Sequence, residues 1–299
     1  MKKGDNVMEE KILCYHHNDM DGRSAGAVVA HYFNITDGAN FHEVNYDGNL
    51  PDIEKANEFD KVIFVDYSFT EDTCHVLRDL IKKNVNIIWV DHHDSSIELC
   101  KKYPEFEENI DCTIKKGLSG AALAYMKFFT CNYENLPYFL KLVSDYDCWI
   151  MKYDPLSSYF KLGIDMVDNG PFAQIWQDLL NNPNSEAKIN AICETGKIVK
   201  IYIDKNNKDS LESYSFETEI AGRKCLAINK EGNSWVFGEK IKEYPIVCLF
   251  RFDGEKYTYS IYTDSDDIDC SKIAEKFGGG GHKKASGFST TKLILSKKK

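Results

Sequence analysis

The sequence has no apolar run long enough to cross a membrane, since its longest runs, at 62–65 and 246–250, span only a few residues. Its N-terminal segment contains no apolar stretch of signal-peptide length. None of its ten cysteines forms a C-x-x-C pair, which argues against a zinc knuckle or a thiol redox motif. We therefore expect a cytoplasmic protein with reduced thiols and no membrane contact.

Excess positive charge is also absent. The formal net charge is −10, which disfavours a protein that coats long nucleic acids by neutralising phosphates. The charge is uneven, because residues 1–216 carry −13 and residues 217–299 carry +3. A length of 299 residues fits one large domain or two ordinary ones.

Apolar runs and helical patterns alternate through the first two-thirds of the chain, which is typical of parallel β/α units. This predicts strands at 12–15, 41–46, 61–66 and 85–90, and helices at 23–33, 70–83, 119–129 and 136–145. Thr70 is the expected N-cap of the second helix. The fold class is therefore α/β, a parallel sheet with helices on both faces over residues 1–185.

The pattern changes after residue 185. Residues 186–213 form a polar helical stretch that suits a connector between domains. Residues 214–299 predict a smaller mixed-sheet domain, with strands at 224–228, 234–237, 246–252 and 257–262 and a helix at 269–277.

Polar clusters follow three of the predicted strands: HHNDMD, DYS and DHHD. Ligands of open α/β sheets bind beyond the carboxyl ends of the strands, so these clusters should meet at one edge. Carboxylates with imidazoles suit Mn²⁺, Mg²⁺ or Fe²⁺. The bland alternatives are helix caps and turns for Asp19, Asp21 and Asp66, and a helix end for the SDYDCW segment.

Taken together, these four clusters supply enough ligands for two metal ions. Such a pair generates hydroxide at neutral pH and clamps the oxygens of a displacement at phosphorus. The C-terminal run GGGGHKKASGF adds a glycine loop that exposes backbone donors beside an imidazole and two lysines. The alternative for this run is a flexible turn.

The ordered motifs HNDMDG, VDYS, VDHHDS, SDYDCW and GGGGHKKASGF resemble the DHH phosphoesterase superfamily, and more narrowly its branch with a DHHA1 C-terminal domain, which includes nanoRNases. The resemblance implies two Mn²⁺ ions, with Mg²⁺ or Fe²⁺ as alternatives. It also implies roles for individual residues. The first metal would be held by His17 and Asp19, the second by Asp21, His92 and Asp145, with Asp66 as the bridge; His93 would contact the substrate phosphate, Asp91 would orient the histidines, and Gly280, Gly281 and His282 would bind substrate.

Some positions stay open at this point. His16 competes with His17, which we favour, and Asp147 competes with Asp145, which matches the Ser-Asp pattern better. Many relatives carry Ser-x-Arg where this chain has Ser-Ile-Tyr at 260–262, so Arg251 on the preceding strand is expected to serve instead.

The expected function is manganese-dependent hydrolysis of short oligonucleotides, as in nanoRNases. The alternatives are a phosphodiesterase or phosphatase of a small nucleotide (a cyclic dinucleotide or 3′-phosphoadenosine 5′-phosphate), a RecJ-type single-strand exonuclease, and a noncatalytic scaffold. The sequence leaves the oligomeric state open, with a homodimer as one option.

Overall fold

The computed structural model describes residues 10–46, 51–183 and 185–296. The chain divides into two compact units, residues 1–199 and residues 200–299. Within the described residues, no helix is both long and apolar enough to span a bilayer. The expectation about the N-terminal segment falls largely on residues 1–9, which lie outside the described residues.

The first unit is built on a five-stranded, all-parallel sheet with the strand order β2-β1-β3-β4-β5. The strands are β1 (Ile12–His17), β2 (Phe41–Val44), β3 (Lys61–Val65), β4 (Ile87–Asp91) and β5 (Asp111–Ile114). All but the last were predicted. In this order β1, β3 and β4 are neighbours, so the residues that follow them lie side by side.

Helices cover both faces of this sheet, as predicted. They are α1 (Met20–Tyr32), α2 (His75–Lys82), α3 (Asp94–Lys102), α4 (Glu105–Asn109), α5 (Gly120–Phe128), α6 (Tyr138–Asp147), α7 (Leu156–Ile164) and α8 (Gln174–Asn181). Successive strand residues point to opposite faces. Accordingly, Cys14 and Ile63 pack with α1, α5 and α6, whereas Leu13 and Phe64 pack with α2, α3 and α4.

The predicted helix at 70–83 begins later than expected. Thr70 is not its N-cap, because residues 70–73 form a turn in which the Thr70 amide donates to the Thr73 hydroxyl at 2.8 Å. Ser119, by contrast, caps α5 by accepting the amide of Ala122 at 3.4 Å.

A 29-residue helix, α9 (Glu186–Tyr214), follows the first unit. Ile189 and Ile192 are buried in the core of the first unit, and Leu211 packs in the second. The division between the units therefore falls within this helix, after residue 199. The boundaries 1–185, 186–213 and 214–299 remain a prediction.

The second unit contains a mixed six-stranded sheet with the order β10-β11-β9-β8-β7-β6. Its elements are β6 (Phe216–Ile220), β7 (Arg223–Asn229), β8 (Ile246–Phe252), β9 (Tyr257–Tyr262), α10 (Cys270–Glu275), β10 (Gly280–Gly281) and β11 (Ala285–Thr290). Strands β7 and β8 are parallel and the other pairs are antiparallel.

One strand prediction in this unit is wrong. Residues 234–237 begin a 3₁₀ segment, Ser234–Lys242, rather than a strand. The side chain of Asn233 accepts the amide of Trp235 at 3.0 Å, which is the hydrogen bond of a helix cap. A cap at this position commits the apolar residues after it to helical turns.

Candidate metal centre

The polar clusters at the carboxyl ends of β1, β3 and β4 do meet. His17 Nδ1 lies 3.0 Å from Asp19 Oδ2 and 4.0 Å from Asp66 Oδ2. On the other side of Asp66, His92 Nε2 lies 3.3 Å from Asp66 Oδ1. One imidazole thus approaches each oxygen of the Asp66 carboxylate.

Asp66 occupies a strained and crowded position at the end of β3. Its backbone is in the left-handed region, with φ of 54°, and its side chain is buried. A Cβ added at Gly120 would lie only 2.5 Å from the Asp66 Cβ, so the start of α5 presses directly on this residue. Asp66 Oδ1 accepts no hydrogen bond within the described part of the chain. A buried carboxylate oxygen without a donor fits a cation ligand.

Asp21 is held in place by helix α5. Its carboxylate accepts the amide of Gly120 at 2.6 Å and that of Ala121 at 2.9 Å. These amides belong to the first turn of α5, where backbone donors lack helical partners and favour an anion. Asp21 Oδ2 also lies 3.8 Å from His92 Nε2. The Ser-Gly start of α5 is the only sequence signal that could have revealed this support.

Asp19 combines both roles that the sequence left open. It is the N-cap of α1, accepting the amide of Gly22 at 2.9 Å, and it also faces His17. Burial raises the pKa of Asp19, but the hydrogen bonds from His17 and Gly22 outweigh it and leave that pKa below its usual value.

The two aspartates at the end of α6, between which the sequence favoured Asp145, have different partners. Both Asp145 oxygens accept backbone amides, from Lys152 at 2.8 Å and Tyr153 at 3.0 Å. Asp147 Oδ2 instead lies 3.3 Å from His92 Nε2 and accepts no hydrogen bond from the described residues. The structure therefore brings Asp147 rather than Asp145 to the cluster.

The two histidines at the end of β1, His16 and His17, have different surroundings. His16 is buried, and its Nδ1 lies 2.9 Å from the backbone oxygen of His17. Its ring packs against Gly26, where an added Cβ would lie 3.1 Å from the ring. His17 is the histidine that reaches Asp19 and Asp66, in agreement with the sequence-based preference.

Asp91 is hydrogen-bonded to His93 on one side and to a chain of serine hydroxyls on the other. His93 Nδ1 lies 2.7 Å from Asp91 Oδ1, and the Ser96 hydroxyl bonds the other oxygen, Oδ2. The Ser96 hydroxyl is also 2.9 Å from Ser68 Oγ. Burial lowers the pKa of His93, but the hydrogen bond and charge of Asp91 outweigh it and raise that pKa above its ordinary value. Ser68 belongs to the VDYS motif, but the sequence did not indicate this role for it, and no sequence pattern singled out Ser96.

The electrostatics of the cluster favour a bound cation. Burial first, and then the charges of Asp21, Asp19 and Asp147, raise the pKa of Asp66 well above its usual range. Burial and the charges of Asp21 and Asp19 likewise raise the pKa of Asp147 to about 9. One atom each from His17, Asp19 and Asp66 fall within 4.8 Å of one another. Two further groups of this kind share His92: one consists of Asp66, Asp91, His92 and His93, and the other of His92, Asp147 and Cys148. This donor set of carboxylates and imidazoles fits Mn²⁺, Mg²⁺ or Fe²⁺.

The second unit displays its glycine loop on the β10–β11 hairpin. Gly280 and Gly281 form β10, both are exposed, and a Cβ at Gly280 would meet nothing within 4 Å. Gly281 has φ of 138°, which favours glycine, and the His282 amide donates to the Ala285 oxygen at 2.8 Å. Arg251 is an exposed residue of β8, and its guanidinium lies 3.0 Å from Glu231.

The parallel α/β fold and the cluster of carboxylates and imidazoles at its strand ends are those expected of a metal-dependent hydrolase. Residues 11–143 match the DHH family, N-terminal domain. This match agrees with the resemblance that the motifs of the first unit show.

Two curated proteins are similar over most of the chain. The uncharacterized protein R106 of Acanthamoeba polyphaga mimivirus is 23% identical over 92% of this chain and 66% of its own length. Oligoribonuclease NrnB of Bacillus subtilis (strain 168) is 24% identical over 93% of this chain and 72% of its own length. The chain thus spans about two-thirds of the length of these relatives.

Two solved structures share the fold. The DHH domain of a protein described as a member of a ribosomal protein family has a TM-score of 0.60 at 14% identity, covering 93% of this chain and 82% of its own. The pGpG-specific phosphodiesterase PggH from Vibrio cholerae has a TM-score of 0.53 at 13% identity, covering 94% of both chains.

Proposed function

We propose that the protein is a manganese-dependent phosphoesterase that hydrolyses short oligonucleotides. The observation that carries this proposal is the Asp66 carboxylate, which is buried, unbonded at Oδ1 and approached by an imidazole at each oxygen. Such a carboxylate suits a bridge between two cations. We propose His17, Asp19 and Asp66 as ligands of one ion, and Asp66, Asp21, His92 and Asp147 as ligands of the other.

Two bound ions would supply a hydroxide nucleophile at neutral pH and stabilise the charge on the attacking and leaving oxygens. His93 would bind the substrate phosphate. Its raised pKa favours the protonated ring, and Asp91 holds Nδ1 so that Nε2 remains as the second donor. In this assignment Asp91 and Ser96 orient the imidazole rather than contact substrate.

The second unit is proposed to bind substrate through Gly280, Gly281 and His282. The exposed glycine backbone leaves room for close approach of a phosphate, and the imidazole adds a donor. Arg251 would serve as a cationic substrate contact, although Glu231 already neutralises part of its charge.

A short substrate is favoured by two considerations. The Bacillus subtilis relative is named as an oligoribonuclease. Residues 1–216 carry a formal charge of −13, so extra phosphates near the first unit add repulsion, which is screened only beyond about 10 Å at 0.1 M salt. Additional length therefore adds cost without new favourable contacts.

The test is kcat/KM for RNA of two, five and twenty-four residues at fixed ionic strength with Mn²⁺, with Asp66→Asn as the inactive control. We expect the rate to fall with length. A rate that rises with length would contradict the proposal and favour a RecJ-type exonuclease. Hydrolysis confined to a cyclic dinucleotide or to 3′-phosphoadenosine 5′-phosphate would favour the small-nucleotide alternative, and a chain that binds metal but cleaves nothing would favour a scaffold. A cytoplasmic location remains a prediction.

A further inference from the structure

The loop that follows α6 holds a large aromatic residue in an unfavourable backbone conformation. Trp149 has φ of 54° and Met151 has φ of 55°, both in the left-handed region. Residues with a Cβ adopt this region at a cost, and such strain persists only where the surroundings impose it. The conformation of Trp149 therefore needs a structural cause.

Asp145 supplies the structural cause. Its backbone oxygen accepts the amide of Ile150 at 2.9 Å, and its carboxylate accepts the amides of Lys152 and Tyr153. The Trp149 amide donates to the backbone oxygen of Tyr146 at 3.1 Å. These bonds tie the loop back onto the last turn of α6, so the backbone that carries the indole is held by several hydrogen bonds.

This support belongs to the metal centre. Asp147 Oδ2 lies 3.3 Å from His92 Nε2, and Cys148 Sγ lies 3.8 Å from His92 Nδ1. Trp149 is the next residue along the chain. Despite its size, 55% of it is exposed, and its indole meets the Tyr146 ring edge-on at 5.9 Å. An exposed aromatic side chain thus stands two residues along the chain from Asp147, one of the proposed ligands.

The chemistry of this surface fits a nucleobase. Every base has an aromatic face, and stacking on a side chain such as Trp is strong and tolerant of sequence. The neighbouring carboxylates would repel an anionic group, whereas a neutral base carries no such penalty. Building on the proposed function, we propose that Trp149 stacks on a base of the substrate and makes the site selective for phosphoesters that carry one.

The first experiment compares two substrates that differ only in the base: an adenine dinucleotide and the corresponding abasic dinucleotide. Trp149→Ala should lower kcat/KM for the adenine substrate by about fivefold to a hundredfold, mainly through KM. Trp149→Ala should leave kcat/KM for the abasic substrate unchanged. Trp149→Phe should cause a smaller loss on the adenine substrate than Trp149→Ala. The matched control is Ile150→Ala, an exposed neighbour in the same loop that lacks an aromatic ring. An equal loss on both substrates, no loss on either, or the same loss in Ile150→Ala would overturn the proposal.

A binding measurement keeps the inference independent of turnover. The fluorescence difference between the wild type and Trp149→Phe, recorded with Mg²⁺, isolates the signal of this indole. Adenosine 5′-monophosphate should quench it, and ribose 5-phosphate should not. Quenching by neither compound, or equally by both, would refute stacking. If the wild type cleaves neither dinucleotide, the proposed function fails, and the quenching result alone decides the role of Trp149.

Discussion

Substituting each of the two aspartates at the end of α6 should have opposite effects on stability and metal binding. Asp147 is surrounded by like charges, and its pKa is raised from 3.8 to about 9 in the metal-free protein. Asp145 is satisfied by two backbone amides. Asp147→Asn therefore removes a repulsive buried charge, whereas Asp145→Asn removes a stabilising hydrogen bond.

The magnitude follows from the shifted pKa. A carboxyl group whose pKa is raised on folding loses stability as the pH rises from its unfolded value toward its folded value. At pH 7 this costs the metal-free protein on the order of 4 kcal/mol at Asp147, and near pH 4 it costs almost nothing. Asp147→Asn should therefore stabilise the metal-free protein at pH 7 by as much as about 4 kcal/mol. Asp145→Asn should destabilise it by about 1.5–3 kcal/mol, because one charge-assisted hydrogen bond is lost.

Metal binding supplies the second half of the comparison. The assay is denaturant unfolding of both variants at pH 4 and pH 7, in EDTA and in Mn²⁺, with calorimetry of metal affinity. Ions at a hundredfold excess over Kd add about 2.7 kcal/mol to the wild type, and Asp145→Asn should keep this gain while Asp147→Asn loses much of it. The assignment of Asp147 is refuted if Asp147→Asn lowers the stability of the metal-free protein at pH 7 and keeps the wild-type affinity for two ions.

Three further substitutions test the rest of the site. Asp66→Ala should abolish hydrolysis and reduce the number of bound ions while the fold is kept, and near wild-type turnover in saturating Mn²⁺ would contradict a bridging role. Gly120→Ala should weaken metal binding, because its Cβ would lie 2.5 Å from that of Asp66; unchanged metal affinity would show that Asp66 does not depend on the start of α5. Ser96→Ala should reduce kcat by about fivefold to tenfold without changing the metal content, since it removes one hydrogen bond to Asp91; loss of metal instead would place Asp91 among the ligands.

The parallel sheet was predictable from the sequence because buried strands in such a sheet are short apolar runs. VIFV and NIIWV are each followed by an aspartate, and Asp66 and Asp91 lie at the ends of β3 and β4 as this pattern predicts. Strand β5 was not predicted, because its sequence DCTI is short and half-polar and the strand lies at the sheet edge. Residues 234–237 look like a strand by composition, but the Asn233 cap starts a helical turn there.

The sequence could not show which of Asp145 and Asp147 approaches His92, and the reason is geometric. Both residues belong to α6, and residues two apart on a helix project from different sides. Which side faces His92 depends on the packing of α6 against the sheet, and that packing is not written in the local pattern. The sequence likewise gave no sign that the backbone amides of residues 152 and 153 donate to the Asp145 carboxylate.

The two adjacent histidines of the Asp-His-His triplet, His92 and His93, have different neighbours. Asp91 is the last residue of β4, and His93 is the N-cap residue of α3, so the chain reverses between them. The reversal lets His93 bond back to Asp91, while Ser96 in the first turn of α3 secures the other carboxylate oxygen. His92, between them, is directed toward Asp66 and Asp147 instead. A strand that passes directly into a helix therefore places a proposed metal ligand and a proposed phosphate contact at consecutive positions of the chain.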